Sequence, residues 1–267
     1  MSVASHHPLR VLSADDHPVN LRYLELLLKG DGHEVHNCAD DHQALDAARA
    51  QVFDVVLMDL HMPVMDGATA IAAIRALPAP HGSMRIIAIT ADTAESARQR
   101  LMEAGANGFL AKPVTPQALR AAMTEPLQAA ATAPAPVAYP ASGTPPTVDA
   151  ERLAELRELM PADALQALMH EVMEAPAGSL ATLLTLLDAE GAGMPAPGGT
   201  QALAEAAHKL KGSAMMLGLS ALHRVAGLAE QRLRAPGAGP AVALALAAAV
   251  RDQAARTRTA LRARLPT

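Results

Sequence analysis

The sequence predicts an α/β domain followed by an all-α domain, and two observations indicate this order. Over residues 10–124, short apolar runs alternate with amphipathic stretches of helical periodicity, which is typical of a parallel sheet covered on both faces. From residue 149 onward only helical periodicity is present, and the short connections favour an antiparallel four-helix bundle. The intervening segment AAATAPAPVAYPASGTPPTV has several prolines and little to bury, so it indicates a linker.

The predicted boundaries are 8–125 for the α/β domain, 126–148 for the linker and 149–267 for the helical domain. Five strands are expected in the first domain, at Arg10–Ala14, Glu34–Cys38, Asp54–Met58, Arg85–Thr90 and Gly108–Ala111. Helices are expected to begin near Pro18, Asp41, Gly67 and Thr93, and after Thr115. In the second domain we expect four or five helices, interrupted at 191–199 and 236–240.

Composition narrows the classes of function. Only four of the 267 residues are Phe or Tyr and none is Trp, which disfavours the base stacking used to bind single-stranded nucleic acid. Residues 149–267 hold 12 basic and 12 acidic residues, so the net charge of −5 belongs to the first domain, and no nucleic-acid partner is expected. Cys38 is alone, which fits a reducing compartment. No apolar run approaches the roughly 20 residues of a membrane span, and the N-terminus lacks the apolar core of a signal peptide. We therefore expect a cytoplasmic protein without membrane insertion.

Acidic side chains follow two of the predicted strands, at the edge where parallel strands end. Asp15 and Asp16 follow the first strand, and Asp59 follows the third. In a sheet of order 2-1-3-4-5 these strands are neighbours, so we expect three carboxylates to converge. Like charges so close need a cation, and Mg²⁺ prefers carboxylate, carbonyl and water ligands. Thr90 and Lys112 end the fourth and fifth strands. Together with Mg²⁺, the Lys112 ammonium is expected to offset charge on a transferring phosphoryl group.

Several of these residues also have an ordinary structural interpretation. Asp16 can cap a helix that begins at Pro18, Asp59 can cap another helix, and Lys112 can be a surface lysine. The presence of five suitable residues at the ends of four strands favours the phosphoryl site.

The same residues lie in four motifs, VLSADDHPVN, VVLMDLHMPVMDG, IIAITAD and FLAKPV, which closely resemble the receiver domain of two-component response regulators. The resemblance covers residues 10–124 and implies a flavodoxin-like, doubly wound sheet of order 2-1-3-4-5. It implies that Asp59 becomes the phosphoaspartate. It also implies that Asp15, Asp16, Asp59 and the backbone carbonyl of His61 hold Mg²⁺, and that Lys112 binds a phosphoryl oxygen.

The resemblance also implies a switch. Thr90 and Phe109 match the pair in which a hydroxyl moves toward the phosphoryl group while an aromatic ring turns inward, a bistable element biased by local charge. Phe109 has no phenolic hydroxyl, unlike the tyrosine often found at this position, so only the packing part of the switch is expected here.

The segment HKLKGSA at 208–214 places a histidine on a predicted helix. An apolar stripe marks the buried face of that helix, at Leu203, Ala207, Leu210, Ala214 and Leu217. His208 lies about 140° from Leu203 at about 100° per residue, so it points away from the stripe. Lys211 and Gly212 flank His208 on the same surface. A mid-helix glycine costs about 1 kcal/mol relative to alanine, and its bare backbone is expected to leave room for a phosphoryl group.

A single histidine is more often a core residue or a solvated one. The register argues against the core, and geometry alone leaves the solvated alternative open. HKLKGSA, however, resembles the signature of histidine-containing phosphotransfer (HPt) domains. The resemblance spans about 149–267, is strongest at 200–234, and implies that His208 is the phosphohistidine with Lys211 as its electrostatic helper.

Together these features predict a phosphorelay protein. A separate sensor histidine kinase phosphorylates Asp59, and His208 relays a phosphoryl group to or from another receiver or phosphotransfer protein. The sequence has no Gly-rich ATP-binding motif, so we expect a phosphoacceptor rather than a kinase. A phosphorylation-switched binding module that does not use His208 is the alternative. An aspartyl phosphatase is disfavoured because such enzymes typically carry a second Asp where this chain has His61. The sequence assigns neither the direction of flow nor an oligomeric state.

Overall fold

The computed structural model describes residues 7–60, 62, 67–90, 95–124 and 146–264, with only the backbone at 95–97. The chain forms two compact units that divide between residues 138 and 139. Most of the predicted linker lies outside the described residues, so the boundaries 8–125, 126–148 and 149–267 stay a prediction.

The first unit contains one parallel sheet in the order β2-β1-β3-β4-β5, which confirms the predicted order. Its strands are β1 (Arg10–Ala14), β2 (Glu34–Cys38), β3 (Val55–Asp59), β4 (Arg85–Thr90) and β5 (Gly108–Ala111). Only β3 departs from the prediction, by one residue at each end. Asp59 belongs to this strand because its backbone pairs with Ile89 of β4. Asp54 lies before it, and its carboxylate accepts a hydrogen bond from the backbone N of Arg10.

Helices cover both faces of this sheet. They are α1 (Pro18–Gly30), α2 (Asp41–Ala50), α3 (Gly67–Arg75), α4 (Glu95–Glu103) and α5 (Pro116–Thr124). The predicted starts at Pro18, Asp41 and Gly67 are confirmed, whereas the one near Thr93 lies outside the described residues. Residues of α2, α3 and α4 pack with Leu12, Val56 and Ile86 in one apolar cluster. The alternate strand residues Val11, Leu57 and Ile87 are equally buried, as expected of a sheet covered on both sides.

The start of α1 shows whether Asp16 caps this helix. His17 is the N-cap residue, and its Nδ1 accepts a hydrogen bond from the backbone N of Val19 at 3.2 Å. The interpretation of Asp16 as the cap is therefore wrong. Asp16 precedes this cap and lies at the edge of the sheet where β1 ends.

The second unit is entirely helical in its described part. It contains α6 (Ala150–Leu159), α7 (Ala162–Met173), α8 (Ser179–Gly191), α9 (Gly199–Met216), α10 (Ser220–Arg234) and α11 (Pro240–Arg262). The last four form the predicted four-helix bundle, in which each helix contacts two others. The expected total of four or five helices is wrong by at least one, because breaks at Pro161 and at 174–178 divide the region before the bundle into two further helices.

The histidine-bearing helix α9 is fixed by its apolar stripe and by its C-terminal end. All five stripe residues, from Leu203 to Leu217, are fully buried. Beyond the end of α9, the Gly218 carbonyl accepts a hydrogen bond from the backbone N of Asp149, and the Arg152 guanidinium donates to the Met216 carbonyl. A cation at the C-terminal carbonyls of a helix is favourable. Among the described residues, no helix combines the length and apolar character that crossing a membrane requires.

Candidate phosphoryl-transfer sites

Three acidic side chains meet where β1 and β3 end, as the strand order predicts. One carboxylate oxygen from each of Asp15, Asp16 and Asp59 lies within 4.8 Å of the other two. Asp15 and Asp59 are buried, and Asp16 is half-buried. Such an arrangement of anions requires compensation by cations and hydrogen-bond donors.

Asp15 accepts hydrogen bonds from three different residues. Its Oδ1 accepts hydrogen bonds from the backbone N of His17 at 2.8 Å and from Asn20 Nδ2 at 3.0 Å. Its Oδ2 accepts from Asn20 Nδ2 at 2.9 Å and from Lys112 Nζ at 3.1 Å. Burial raises the pKa of Asp15; the Lys112 charge opposes this rise and the Asp59 charge adds to it. Asp15 is therefore held in one orientation beside Asp59.

Lys112 supplies the cation of the pocket. Its Nζ lies 2.9 Å from Asp59 Oδ2 and 3.1 Å from Asp15 Oδ2, and its side chain is only 10% exposed. Burial alone would lower the pKa of Lys112, but the two carboxylates outweigh it and raise that pKa. The backbone N of Lys112 donates to the Thr90 carbonyl at 2.7 Å. Lys112 is thus a charged constituent of the pocket and not a surface lysine.

The two oxygens of Asp59 differ in their hydrogen bonding. Oδ1 is buried and has no hydrogen-bond partner among the described residues, whereas Oδ2 accepts from Lys112. A buried carboxylate oxygen without a donor is unfavourable, so the pocket fits a cation that would supply the missing interaction. The three carboxylates are suitable ligands for Mg²⁺. The predicted fourth ligand, the carbonyl of His61, lies outside the described residues.

Gly67 allows α3 to begin against the end of β3. A Cβ at this position would lie 2.7 Å from the Leu60 Cα and 2.8 Å from the Asp59 carbonyl oxygen, closer than such atoms approach. A side chain here would push α3 away from the strand that carries Asp59. This close approach gives a structural reason for the glycine that ends the motif VVLMDLHMPVMDG.

The two predicted switch residues lie on neighbouring strands. Thr90 is buried at the end of β4, and Phe109 is partly buried on β5. The Arg98 guanidinium of α4 lies over the Phe109 ring, 4.9 Å from its centre, within the range of a cation–π contact. The ring therefore has a specific partner on α4, which the sequence did not indicate.

His208 is partly buried, and its ring orientation is set by a neighbouring helix. The side chain is 26% exposed, less than expected, because Glu230 of α10 lies against it. Nδ1 of His208 lies 2.9 Å from Glu230 Oε1. An ionised carboxylate only accepts hydrogen bonds, so Nδ1 is assigned as the donor to Glu230, and in the neutral ring Nε2 then carries the lone pair.

Glu230 connects His208 to two cations. Its Oε2 accepts a hydrogen bond from Lys211 Nζ at 2.9 Å, and its Oε1 lies 3.2 Å from Arg234 Nη2. Burial alone would raise the pKa of Glu230, but the hydrogen bonds from His208 and Lys211 outweigh it and lower that pKa to about 2. His208 and Lys211 thus both contact one carboxylate, which the sequence analysis missed, and the role of Lys211 as electrostatic helper stays a prediction.

Gly212 and Gly227 leave the backbone bare beside this network. A Cβ on Gly212 would meet nothing within 4 Å, and one on Gly227 would meet only the Lys211 Cδ, at 3.6 Å. Packing inside the chain therefore does not require glycine at position 212. The predicted role of Gly212, to leave room for a phosphoryl group, stays a prediction.

The position of Glu230 has a signal in the sequence once the turn between α9 and α10 is located. His208 and Glu230 each lie eleven residues from Leu219, and Lys211 and Gly227 each lie eight from it. In a helical hairpin, residues equally distant from the turn face each other. Asn20 has no comparable signal, because its partner Asp15 becomes its neighbour only when β1 and α1 pack together.

Comparison with known proteins identifies both units. Residues 11–124 match the model of the response regulator receiver domain, and residues 177–260 match that of the Hpt domain. The chain combines a receiver domain with an Hpt domain. The Hpt match covers most of α8–α11, whereas α6 and α7 precede it. The part shared with that family is therefore most of the four-helix bundle, and the receiver match spans the sheet from Val11 onward.

The relatives of the receiver domain are parts of larger proteins. The chain is 38% identical over 112 residues to the sensor protein GacS of Pseudomonas syringae pv. syringae, and 36% identical over 111 residues to the histidine-protein kinase BarA of Escherichia coli K12. These matches cover 41% and 42% of this chain and 12% of each relative. A crystal structure of the receiver domain of sensor histidine kinase PA1611 from Pseudomonas aeruginosa, with magnesium in its active site cleft, is 36% identical. That match covers 44% of this chain and 95% of the other, with a TM-score of 0.41.

Proposed function

We propose that this protein is a phosphorelay intermediate. Asp59 accepts a phosphoryl group from a sensor histidine kinase, and His208 exchanges one with another receiver or phosphotransfer protein. The observation that supports this most is the presence in one chain of two nucleophiles, each with a lysine as cationic partner: Asp59 with Lys112, and His208 with Lys211 through Glu230. The proposal places the exchange in the cytoplasm, a reducing compartment in which a free thiol such as that of Cys38 is expected.

In the receiver domain, the Asp59 carboxylate is the proposed nucleophile. Attack on a phosphohistidine forms a bond from a carboxylate oxygen to phosphorus and breaks the bond from nitrogen to phosphorus. Lys112, already within hydrogen-bond distance of Asp59, offsets the negative charge carried by the phosphoryl oxygens. Mg²⁺, held by Asp15, Asp16, Asp59 and the His61 carbonyl, would supply further charge neutralisation when bound. Thr90 is the proposed switch hydroxyl because it ends the strand beside Asp59.

In the Hpt domain, Nε2 of His208 is the proposed nucleophile. Attack on a phosphoaspartate forms the bond from Nε2 to phosphorus and regenerates the donor carboxylate. The imidazole then carries positive charge, which the Glu230 carboxylate stabilises through the Nδ1 proton. The proposed role of Lys211, which donates a hydrogen bond to Glu230 beside His208, is to offset the charge of the phosphoryl oxygens. The chain itself is proposed to be a phosphoacceptor that depends on a separate kinase for ATP chemistry.

Reciprocal labelling tests the relay. We expect an Asp59→Asn protein to accept label at His208 from a phosphorylated receiver, and a His208→Gln protein to accept label at Asp59 from a phosphorylated histidine kinase. Alkali separates the two products, because it removes label from an aspartyl phosphate but not from a phosphohistidine. Each single variant should lose one class of label and the double variant should lose both. A wild-type chain that labels at neither residue with any partner would contradict the relay.

Gly212 offers a test that separates access from folding. We expect Gly212→Ala to stabilise the Hpt domain by about 0.5–1 kcal/mol, because alanine is the better helix former and its methyl group meets nothing in this chain. Transfer from a phosphorylated receiver should nevertheless slow by about tenfold, because the methyl group lies where the partner approaches. Urea unfolding and rapid-quench transfer kinetics measure the two effects.

Phosphorylation by the small donor phosphoramidate provides the control for Gly212→Ala. It requires no docked protein, so His208 should react with it at nearly the wild-type rate. Equal slowing with both donors would show that the methyl group disturbs His208 itself and would contradict a role in partner access.

A second function, a phosphorylation-switched binding module, is favoured by one observation. The partly buried Phe109 ring lies beneath Arg98, so an inward turn of the ring would break this contact and change the surface of α4. In that case Asp59 is phosphorylated and a partner binds only the phosphorylated chain. The His208→Gln substitution then has no effect on signalling. The labelling of His208 in the Asp59→Asn protein separates the two functions.

A further inference from the structure

Tyr23 forms a long-range hydrogen bond next to the receiver pocket. Its hydroxyl donates to the Val114 carbonyl at 2.8 Å, joining residues 91 positions apart in the sequence. The side chain of Tyr23 is fully buried, and Val114 is 1% exposed. Val114 lies in the segment between β5 and α5, two residues after Lys112. The bond therefore fastens the segment that carries Lys112 to α1.

The backbone around Lys112 is held from two directions. On one side the Lys112 backbone N donates to the Thr90 carbonyl of β4 at 2.7 Å. On the other side Tyr23 holds the Val114 carbonyl. These bonds fix the base of the side chain whose Nζ lies 2.9 Å from Asp59. Phosphoryl transfer depends on charge placed accurately at the phosphoryl oxygens. A small displacement of the Lys112 backbone should therefore slow the transfer.

One face of α1 orients both neighbours of Asp59. Asn20 and Tyr23 are three residues apart on this helix, so they share a face. Asn20 donates to both oxygens of Asp15, and Tyr23 holds the segment of Lys112. We propose that Tyr23 is a positioning residue for the phosphorylation of Asp59 and acts through Lys112. This inference rests on the proposed phosphorylation of Asp59.

The hydrogen bond alone also fits a purely structural role, because a buried tyrosine hydroxyl requires some partner. The two roles differ in how Tyr23 and Lys112 combine. A positioning residue loses its effect on the rate once the group it positions has been removed, whereas a structural residue affects the rate independently of that group. A double-mutant cycle on the reaction rate therefore distinguishes them.

The test uses Tyr23→Phe, which keeps the buried ring and removes only the hydroxyl, in the full chain. We expect phosphorylation of Asp59 by phosphoramidate, at saturating Mg²⁺, to slow by about fivefold. In a Lys112→Ala background, the same substitution should cause no further slowing. Equal slowing in both backgrounds, or none in the wild-type background, would overturn the inference. If the wild-type chain fails to label at Asp59, the proposed function has failed instead.

Arg75→Lys is the matched control for lost stability. Arg75 donates to the carbonyls of Gly105 and Met84, before β5 and β4, at the edge of the sheet opposite Asp59. The Arg75→Lys substitution should lower the thermal midpoint of the receiver domain. It should not slow phosphorylation of Asp59 in the wild-type or the Lys112→Ala background, provided that every variant is folded at the assay temperature.

A second measurement does not require that Tyr23→Phe folds. In a Tyr139→Phe background Tyr23 is the only tyrosine of the chain, so incorporated 3-fluorotyrosine gives one ¹⁹F signal. We expect this signal to shift when Lys112→Ala is introduced and when beryllofluoride, a phosphoryl analogue, is added. A signal unchanged by both would overturn the coupling of Tyr23 to Lys112.

Discussion

Replacing Lys112 with alanine is expected to slow phosphorylation of Asp59 by about a hundredfold and to make the stability of the receiver domain depend on Mg²⁺. The Lys112 ammonium lies within 3.1 Å of carboxylate oxygens of both Asp15 and Asp59. Removing one partner of a buried ion pair leaves an uncompensated charge, which typically costs about 3–5 kcal/mol. Here two buried carboxylates lose the cation that they share.

Mg²⁺ should restore part of this lost stability, because a divalent cation offsets the same charges. The thermal midpoint of Lys112→Ala should therefore rise more on addition of Mg²⁺ than that of the wild type. Calorimetry with and without Mg²⁺ measures the stability, and labelling by phosphoramidate measures the rate. Lys29→Ala is the matched control, since Lys29 is 57% exposed and pairs with Glu25 on the surface of α1. A wild-type rate and an unchanged Mg²⁺ response in Lys112→Ala would refute the role assigned to this residue.

The receiver pocket was predictable wherever its geometry follows from the chain itself. The ends of parallel strands lie at one edge, so the strand positions together with the order 2-1-3-4-5 bring Asp15, Asp16, Asp59 and Lys112 to one site. The contacts that hold these groups were not predictable. The partner of Tyr23 is a backbone carbonyl 91 residues away, and a carbonyl carries no side-chain identity that a sequence pattern can reveal. The cap of α1 was not predicted either, because the sequence analysis considered only Asp16, whereas the side chain of His17 caps the helix.

The sequence predicted which face of α9 is buried, but not how far the His208 side chain is covered by a neighbouring helix. The spacing from Leu203 to Leu217 defines the buried face of α9, and all these stripe residues are buried. The spacing says nothing about which side chain of another helix covers His208, because that depends on where the hairpin turns. Once the turn is placed at Leu219, Glu230 is the residue opposite His208. The predicted number of helices was wrong because breaks at Pro161 and at 174–178 divide stretches that have continuous helical periodicity in the sequence.

Glu230→Ala is expected to slow transfer through His208 by about ten- to a hundredfold. Without the carboxylate, Nδ1 loses its acceptor and the neutral imidazole shifts toward the tautomer protonated on Nε2, the atom proposed to attack. The ¹⁵N shifts of the imidazole should show Nδ1 protonated in the wild type and a larger share of Nε2 protonation in the variant. Glu174→Ala is the matched control, since Glu174 is exposed and pairs with Arg258 of α11. A wild-type ring protonated mainly on Nε2 would contradict the assigned orientation.

Glu230→Gln separates charge from hydrogen bonding, and its effect should depend on pH. The amide oxygen still accepts from Nδ1, so transfer should fall less than in Glu230→Ala, while Lys211 loses its counter-ion. The pKa of Glu230 is lowered from 4.5 to about 2 in the folded protein. Its charge therefore stabilises the Hpt domain above the unfolded-state pKa, and this contribution is lost as the pH falls from 4.5 toward 2. In urea unfolding, the stability advantage of the wild type over Glu230→Gln should shrink as the pH falls from 4.5 toward 2. An advantage that grows as the pH falls would mean that Glu230 is not the charged centre of this network.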